Sequence, residues 1–342
     1  MTVAESDPAR RRVGLVGAGS HAMRNIVSSV AFLPFDLAAV ADTVAERAQR
    51  VASLTGATPY ESAARMFAEA DLDAVLLVAG ARAHAPLAIE AFGAGLDVWT
   101  EKPPAISVEQ LDTMLAARGD RVCGVGYKKA LMPAIVKARE LLGDRVLSAS
   151  ASYPNDVPLH PEGPPYPVGT WLSDGCHVLA AMLSVCGPVA AVATHRAAEK
   201  GSALVLHHAN GVVGVLHLIN GAPVYQPSER YLFVTDGATV AIENGRRVVY
   251  QRDIPARYDE DDNFAAGGLD SGAVVWEAQD TMATMQGKNV VTQGILPSLL
   301  AFARAIQTRQ QPEYGSLEFA RQVLAVCEAA QASDATLVAV AS

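Results

Sequence analysis

Cysteine is scarce. The four residues, Cys123, Cys176, Cys186 and Cys327, are scattered through 342 positions without a C-x-x-C pair. That spacing argues against a disulfide framework or a zinc ribbon and reads as buried, reduced thiols in a reducing compartment. Long apolar runs are also missing. None reaches the length needed to cross a bilayer, and the first dozen residues (Thr2 to Arg12) are polar, with no signal core. The expected location is the cytoplasm. No block of basic residues occurs and the net charge is −9, so neither nucleic acid nor an anionic membrane is an expected partner. His195, His207, His208 and His217 fall on strand-like runs without metal-ligand spacing; they read as structural, and no metal site is expected. There is no internal repeat and no low-complexity tract.

What is present is core material: half of the residues are hydrophobic, and the length suits two domains. The chain is organised around Arg12 to Ala22. Val13 to Val16 reads as a buried strand, Gly17-Ala18-Gly19 as a tight turn, and Ser20-His21-Ala22 as a helix start. Gly17-x-Gly19-x-x-Ala22 fits the dinucleotide fingerprint. Glycine lets bare backbone approach a pyrophosphate, and the helix N-terminus offers it free N–H groups and positive dipole. A second strand, Phe35 to Ala41, ends at Asp42. A carboxylate there accepts the ribose hydroxyls of NAD and repels the extra phosphate of NADP, although Arg47 nearby leaves NADP open.

Apolar runs then alternate with helical stretches. Thr43 to Leu54 reads as a helix, and Pro59-Tyr60 as the start of a shorter one through Met66 and Phe67. Asp73 to Ala79 has the continuous hydrophobicity of a parallel strand covered on both faces. Leu96 to Thr100 and Arg121 to Gly126 are further strands, with a capping box at Ser107 to Gln110 between them. This is the pattern of a doubly wound parallel sheet. Beyond it, Met132 to Leu142 reads as a helix and Val146 to Tyr153 as a strand. Pro154, Pro158, Pro161, Pro164, Pro165 and Pro167 then mark a loop, over the crevice or on the surface. Val178 to Cys186 is an apolar helix. Strand-like runs follow at Val189 to His195, Ser202 to His208, Val212 to Ile219, Arg230 to Thr235, Thr239 to Ile242 and Arg247 to Gln251, with Asn244-Gly245 as a hairpin turn. Arg257 to Ser271 reads as a loop, and Val290 to Thr308 and Leu317 to Ala332 as closing helices.

Glu101-Lys102-Pro103 directly follows a strand, where the ligand crevice of such a sheet opens. With the glycine turn, Asp42, A-G-A-R-A-H (Ala79 to His84), G-Y-K-K (Gly126 to Lys129), D-G-C-H (Asp174 to His177) and Q-G-I-L-P (Gln293 to Pro297), the chain resembles the glucose–fructose oxidoreductase/inositol dehydrogenase (Gfo/Idh/MocA) family over nearly its whole length. The resemblance implies an N-terminal Rossmann domain, taken as residues 1–126, and a C-terminal α/β domain, 127–342, with a large, mostly antiparallel open sheet. That sheet would make a homodimer or homotetramer. The resemblance also implies that Lys102 lies beside nicotinamide and substrate and that His177 serves as acid/base. The family's strand-four motif T-P-N-x-x-H is altered here to Ala79 through His84. Where polyol dehydrogenases of the family carry an aspartate four residues before the histidine, this chain has Ser173, with Asp174 next to it; Ala180 replaces a further aspartate.

The expected function is an NAD(P)-dependent oxidoreductase moving a hydride between nicotinamide and a polyol, sugar or sugar derivative. A ketoreductase acting on a nucleotide-linked sugar and a non-catalytic NAD-binding regulator are the alternatives. Expected catalytic residues are Lys102, His177 and Asp174. Asp174 stands one helical turn before the histidine, where it would orient the ring and raise its pKa from a near-neutral value; a capping role is its other reading. Gly17, Gly19, Ser20, His21, Asp42, Ala79, His84, Glu101 and Lys102 are expected to meet the cofactor. Tyr127 and Trp171 join Asp174 and His177 as expected substrate contacts, each with a packing role as its alternative.

Overall fold

The computed structural model describes residues 10–143, 146–154, 171–197, 201–219, 228–252, 272–277 and 290–341. The proline-rich segment after Pro154 and the Arg257 to Ser271 segment lie outside the described residues.

The first six strands are β1 (Arg11–Val16), β2 (Phe35–Ala41), β3 (Thr58–Tyr60), β4 (Ala74–Leu77), β5 (Asp97–Thr100) and β6 (Cys123–Val125). They form one parallel sheet in the order β3-β2-β1-β4-β5-β6. β4 and β5 are buried at every position because helices cover both faces of the sheet. The order reverses between β1 and β4, so the crevice opens beyond their carboxyl ends. One expectation fails in this half. Pro59 and Tyr60 lie in the edge strand β3, not in a helix; that helix starts at Ala63, where Ser62 accepts the N–H of Arg65. A proline on an edge strand leaves no ladder donor missing. Ser107 caps Val108–Arg118 through the Gln110 N–H, and the Gln110 side chain reaches back to the N–H of Ile106.

The second sheet comprises β7 (Val146–Pro154), β8 (Val189–Arg196), β9 (Ser202–His208), β10 (Val213–Ile219), β11 (Arg230–Thr235), β12 (Ala238–Glu243), β13 (Arg247–Arg252), β14 (Gly272–Glu277) and β15 (Leu337–Ala339). The order is β14-β13-β12-β11-β7-β10-β9-β8-β15, with β7 and β10 the parallel pair in an otherwise antiparallel ladder. The strands alternate buried and exposed residues, so one face packs under helices Pro133–Leu142, Cys176–Cys186 and Leu317–Ala332 while the other faces outward. The hairpin between β12 and β13 turns at Asn244-Gly245, both with positive φ. β14 and β15 went unread in the sequence; neither shows clear alternation between core and polar residues, being mostly exposed.

Helix Ile295–Thr308 returns to the first domain. Ile295, Leu299, Phe302 and Ile306 complete the core beneath β1 and β5, with Phe302 edge-on to Phe35 and the Trp99 indole N–H on Ser298. The expected continuous helix from Val290 is broken at Gly294, whose φ is 84°.

Candidate active site

The crevice is assembled from six chain segments. The glycine turn comes first. Gly17 has φ 90°, and a Cβ there would lie 2.5 Å from the Val78 carbonyl oxygen, so the residue must be glycine to let β1 and β4 converge. A Cβ on Gly19 would meet nothing within 4 Å. The first glycine therefore serves the backbone crossing, and the second faces the open cradle in which a pyrophosphate fits. Ala22 is fully buried, and its π-helical turn (Ala22–Val27) starts the segment after the cradle. Ser20 is exposed at its rim. Asp42 accepts the Ala18 N–H at 2.7 Å and the Val44 N–H at 2.8 Å. Its carboxylate thus pins the turn to the end of β2, where a ribose would lie. These residues fit a dinucleotide.

Glu101-Lys102-Pro103 forms the second segment. The Glu101 carboxylate lies 2.9 Å from His21 Nε2, and the Asn25 side-chain amide lies 3.1 Å from His21 Nδ1. The His21–Glu101 pair ties the glycine turn to the end of β5. Burial alone would raise the Glu101 pKa, but the His21 hydrogen bond and the charges of His21, Lys102 and Lys128 hold it below the usual carboxylate range. Ala79 lies two residues beyond β4, whose last residue, Leu77, accepts the Glu101 N–H. His84, expected on the cofactor, is only 1 % exposed and binds the Pro103 carbonyl through Nδ1 at 2.8 Å. It braces the loop carrying Lys102 from behind.

Tyr127, Lys128 and Lys129 supply the third segment. Tyr127, expected to contact substrate, is instead a core residue: it is 1 % exposed and packs edge-on against Phe319. Burial drives its phenol pKa well up. The short 3₁₀ turn Lys128–Leu131 then sends the two lysines to different places. Lys129 is buried, with its ammonium 2.5 Å from a Glu229 carboxylate oxygen and 2.7 Å from the Gln293 side-chain oxygen. Glu229 also accepts the Tyr231 hydroxyl at 2.8 Å. Lys128 is half-buried; burial, then the charge of Lys129, push its pKa down to about 8. Glu229 and Gln293 are fourth and fifth members that sequence reasoning missed. Gln293 was visible in Q-G-I-L-P; Glu229 had no local signal, because only the pairing of β11 with β7 brings it here.

His177 begins the helix Cys176–Cys186, directly after a π-helical turn, Trp171–Gly175, that carries Asp174. The ring is 3 % exposed. Nδ1 is buried with no hydrogen-bond partner among the described residues. The expected upward pull on its pKa is reversed. Burial lowers it well below the ordinary value, and Lys102, Lys128, Lys129 and His21 lower it further. The charge of Asp174 acts on Tyr153 and Cys176. Gly175, not Asp174, is the N-cap residue, and no side chain caps that helix. Lys102 and His177, far apart in the chain, therefore share one electrostatic site. The four cysteines are buried free thiols. No cluster of metal-ligating residues exists among the described residues, and no described helix is long and apolar enough to cross a membrane.

Comparison with known proteins agrees with this geometry. Residues 11–127 match the oxidoreductase family with NAD-binding Rossmann fold, GFO_IDH_MocA. An inositol 2-dehydrogenase from Saccharopolyspora erythraea is 33 % identical over 135 residues, a stretch covering 38 % of this chain and 40 % of that protein. Among solved structures, a dehydrogenase from Chromobacterium violaceum superposes with a TM-score of 0.82 at 19 % identity, covering 96 % of both chains. A levoglucosan dehydrogenase bound to NADH and levoglucosan gives 0.79 at 18 % identity, over 97 % of this chain and 100 % of that one. At such identities these structures establish the two-domain fold.

Proposed function

We propose, from the membership of residues 11–127 in the Gfo/Idh/MocA oxidoreductase family, that the protein is an NAD-dependent dehydrogenase or reductase acting on a polyol, sugar or sugar derivative. The observation that carries this reading is the convergence of Lys102, from the carboxyl edge of the Rossmann sheet, and His177, from the second domain, on one electrostatic site. NAD, when bound, supplies the hydride acceptor. Gly17, Gly19 and Ser20 would hold its pyrophosphate and Asp42 its ribose hydroxyls. His21, Ala79, Glu101 and Lys102 line the path between them and the reacting carbon.

In the oxidative direction, His177 starts neutral, because burial and the surrounding lysines disfavour a second charge. With Nδ1 buried, Nε2 is the nitrogen that takes the substrate's hydroxyl proton. Lys102 polarises the same oxygen and offsets the negative charge that builds on it as the proton leaves. Reduction reverses these roles: Lys102 polarises a carbonyl and His177 returns the proton. Asp174, on the turn before the histidine, would border the substrate; the side chain of Trp171 lies outside the described residues.

The test is a screen of polyols, sugars and keto-sugars by NADH absorbance, followed by single substitutions. Lys102→Ala and His177→Ala are expected to lower kcat by about a hundredfold or more while NAD binding persists. NAD binding without turnover of any such substrate, and without a consequence of His177→Ala, would refute the reading and point to an NAD-binding regulator.

We further infer a cytoplasmic homo-oligomer. Supporting the compartment is the sparse, scattered set of four cysteines, all of them buried. Supporting the assembly is the outer face of the second sheet. Val215 and Leu232 flank Ser150 across three paired strands, and with Leu147 and Val213 they leave an apolar surface exposed.

A further inference from the structure

Lys128 and Lys129 are adjacent in sequence and opposite in circumstance. Lys129 is a satisfied cation: Glu229 balances its charge and Gln293 takes a second hydrogen. Lys128 has no hydrogen bond or ion pair through its ammonium among the described residues. It is half-buried in the crevice, and the charged groups that face it are Lys129, Lys102, Glu101 and Glu229. Both acids are already committed, Glu101 to His21 and Glu229 to Lys129 and Tyr231. A cation taken partly out of water, next to two others and with no anion of its own among the described residues, is an unfavourable arrangement that a bound anion would relieve.

The position of that anion follows from the neighbours. The turn that carries Lys128 packs against the helix that carries His177, and a Cβ on Gly126 just before it would lie 3.4 Å from the Glu101 carboxyl carbon, so an anionic group held by Lys128 belongs to the molecule whose hydroxyl meets His177. Its charge also follows. One uncompensated ammonium matches a single negative charge, which a carboxylate carries; a phosphate monoester would bring about two. An ammonium is also a point charge without the planar fork that favours bidentate phosphate recognition.

We propose that Lys128 is the carboxylate-recognition residue of this crevice and that the substrate is a sugar acid or a related hydroxy acid. Its carboxylate pairs with Lys128 while its reacting hydroxyl lies between Lys102 and His177. The assignment rests on the oxidoreductase reading for the identity of the pocket, and its test does not require turnover.

The experiment is calorimetric binding of matched pairs to the NADH-loaded protein: glucose with glucuronate, galactose with galacturonate, and glucose 6-phosphate as the phosphate arm. Each uronate is expected to bind at least tenfold more tightly than its neutral partner. In Lys128→Met the gap should close to within about twofold, and Lys128→Arg should retain part of it. The preference should also weaken as pH rises past about 8, where the ammonium loses its proton. NADH affinity reports that each variant is folded. Neutral sugars binding as tightly as uronates, or a Lys128→Met effect equal on both members of a pair, would overturn the proposal; so would tighter binding of the phosphate than of the uronate. Uronate-selective binding without any turnover would leave Lys128 assigned and remove the oxidoreductase reading instead.

Discussion

In the proposed reaction His177 can serve as a base because the fold keeps it uncharged. Burial is the largest cause, and Lys102, Lys128 and Lys129 add to it, so protonation sets in only below the ordinary histidine value near 6.5. The acid limb of kcat/KM for oxidation is therefore expected below that value, and Lys128→Met, which removes one repelling charge, should move it upward. A pH–rate profile checks both; a limb above 6.5 in the unmodified enzyme would contradict the electrostatics. Asp174→Asn leaves burial, the largest cause, untouched, so the limb should stay below 6.5 in that variant too. In the proposed complex Asp42 meets the other end of the cofactor. NAD should bind more tightly than NADP, and Asp42→Ser should narrow the gap by removing the charge that repels a ribose phosphate. Cofactor titrations of the two proteins measure this; equal affinities in the unmodified protein would refute it. The same variant also loses the carboxylate that holds the Ala18 and Val44 N–H groups, so a modest drop in Tm should accompany it.

Two glycines govern how elements meet around the site. At Gly17 a methyl group would collide with the Val78 carbonyl at a backbone angle that favours glycine, so Gly17→Ala is expected to cost about 1–3 kcal/mol and to weaken NAD binding sharply. At Gly294, the residue before helix Ile295–Thr308, a Cβ would lie 2.0 Å from the Lys128 carbonyl oxygen. Gly294→Ala must therefore displace the 3₁₀ turn that carries Lys128 and Lys129. The expected result is a raised KM with a smaller change in NAD affinity, because the glycine turn is built from other segments. Steady-state kinetics beside a cofactor titration separate the two; an unchanged KM would show the turn to be insensitive to that contact. Elements with strong local signals formed as read: the Ser107 cap, the Asn244-Gly245 hairpin and the covered strands β4 and β5. Those with weak signals did not. β3 is only three residues long and includes a proline, and it forms because β2 offers it an edge.

At the scale of the molecule, three histidines couple stability to pH. His84, His177 and His208 all have pKa values lowered chiefly by burial. The unfolded chain binds protons at these sites near 6.5, before the folded chain does. Their contribution is therefore complete above that value and is lost as pH falls below it toward the depressed folded values. Tm should drop between about pH 7 and about pH 5.5, and His208→Gln, remote from the crevice, should reduce the slope. A flat Tm over that range would contradict the assignment. The exposed face of the second sheet makes a separate prediction: Leu232→Glu, with Val215→Glu, should lower the mass measured by light scattering while leaving the monomer folded. A monomer in the unmodified protein would remove the proposed interface.

The sequence by itself determined the Rossmann domain, the glycine turn with its acid at Asp42, and the positions of Lys102 and His177. Each is written in a short stretch whose periodicity or turn chemistry acts locally. Tertiary structure decided what those residues face. Tyr127 went to the core, His84 to bracing Pro103, and Glu229, a hundred residues from Lys129, came in from the residue just before β11. The protonation state of His177 was decided in the same way, because desolvation and long-range charge depend on what surrounds a group in space. No property of the D-G-C-H stretch encodes the three lysines that keep its histidine neutral.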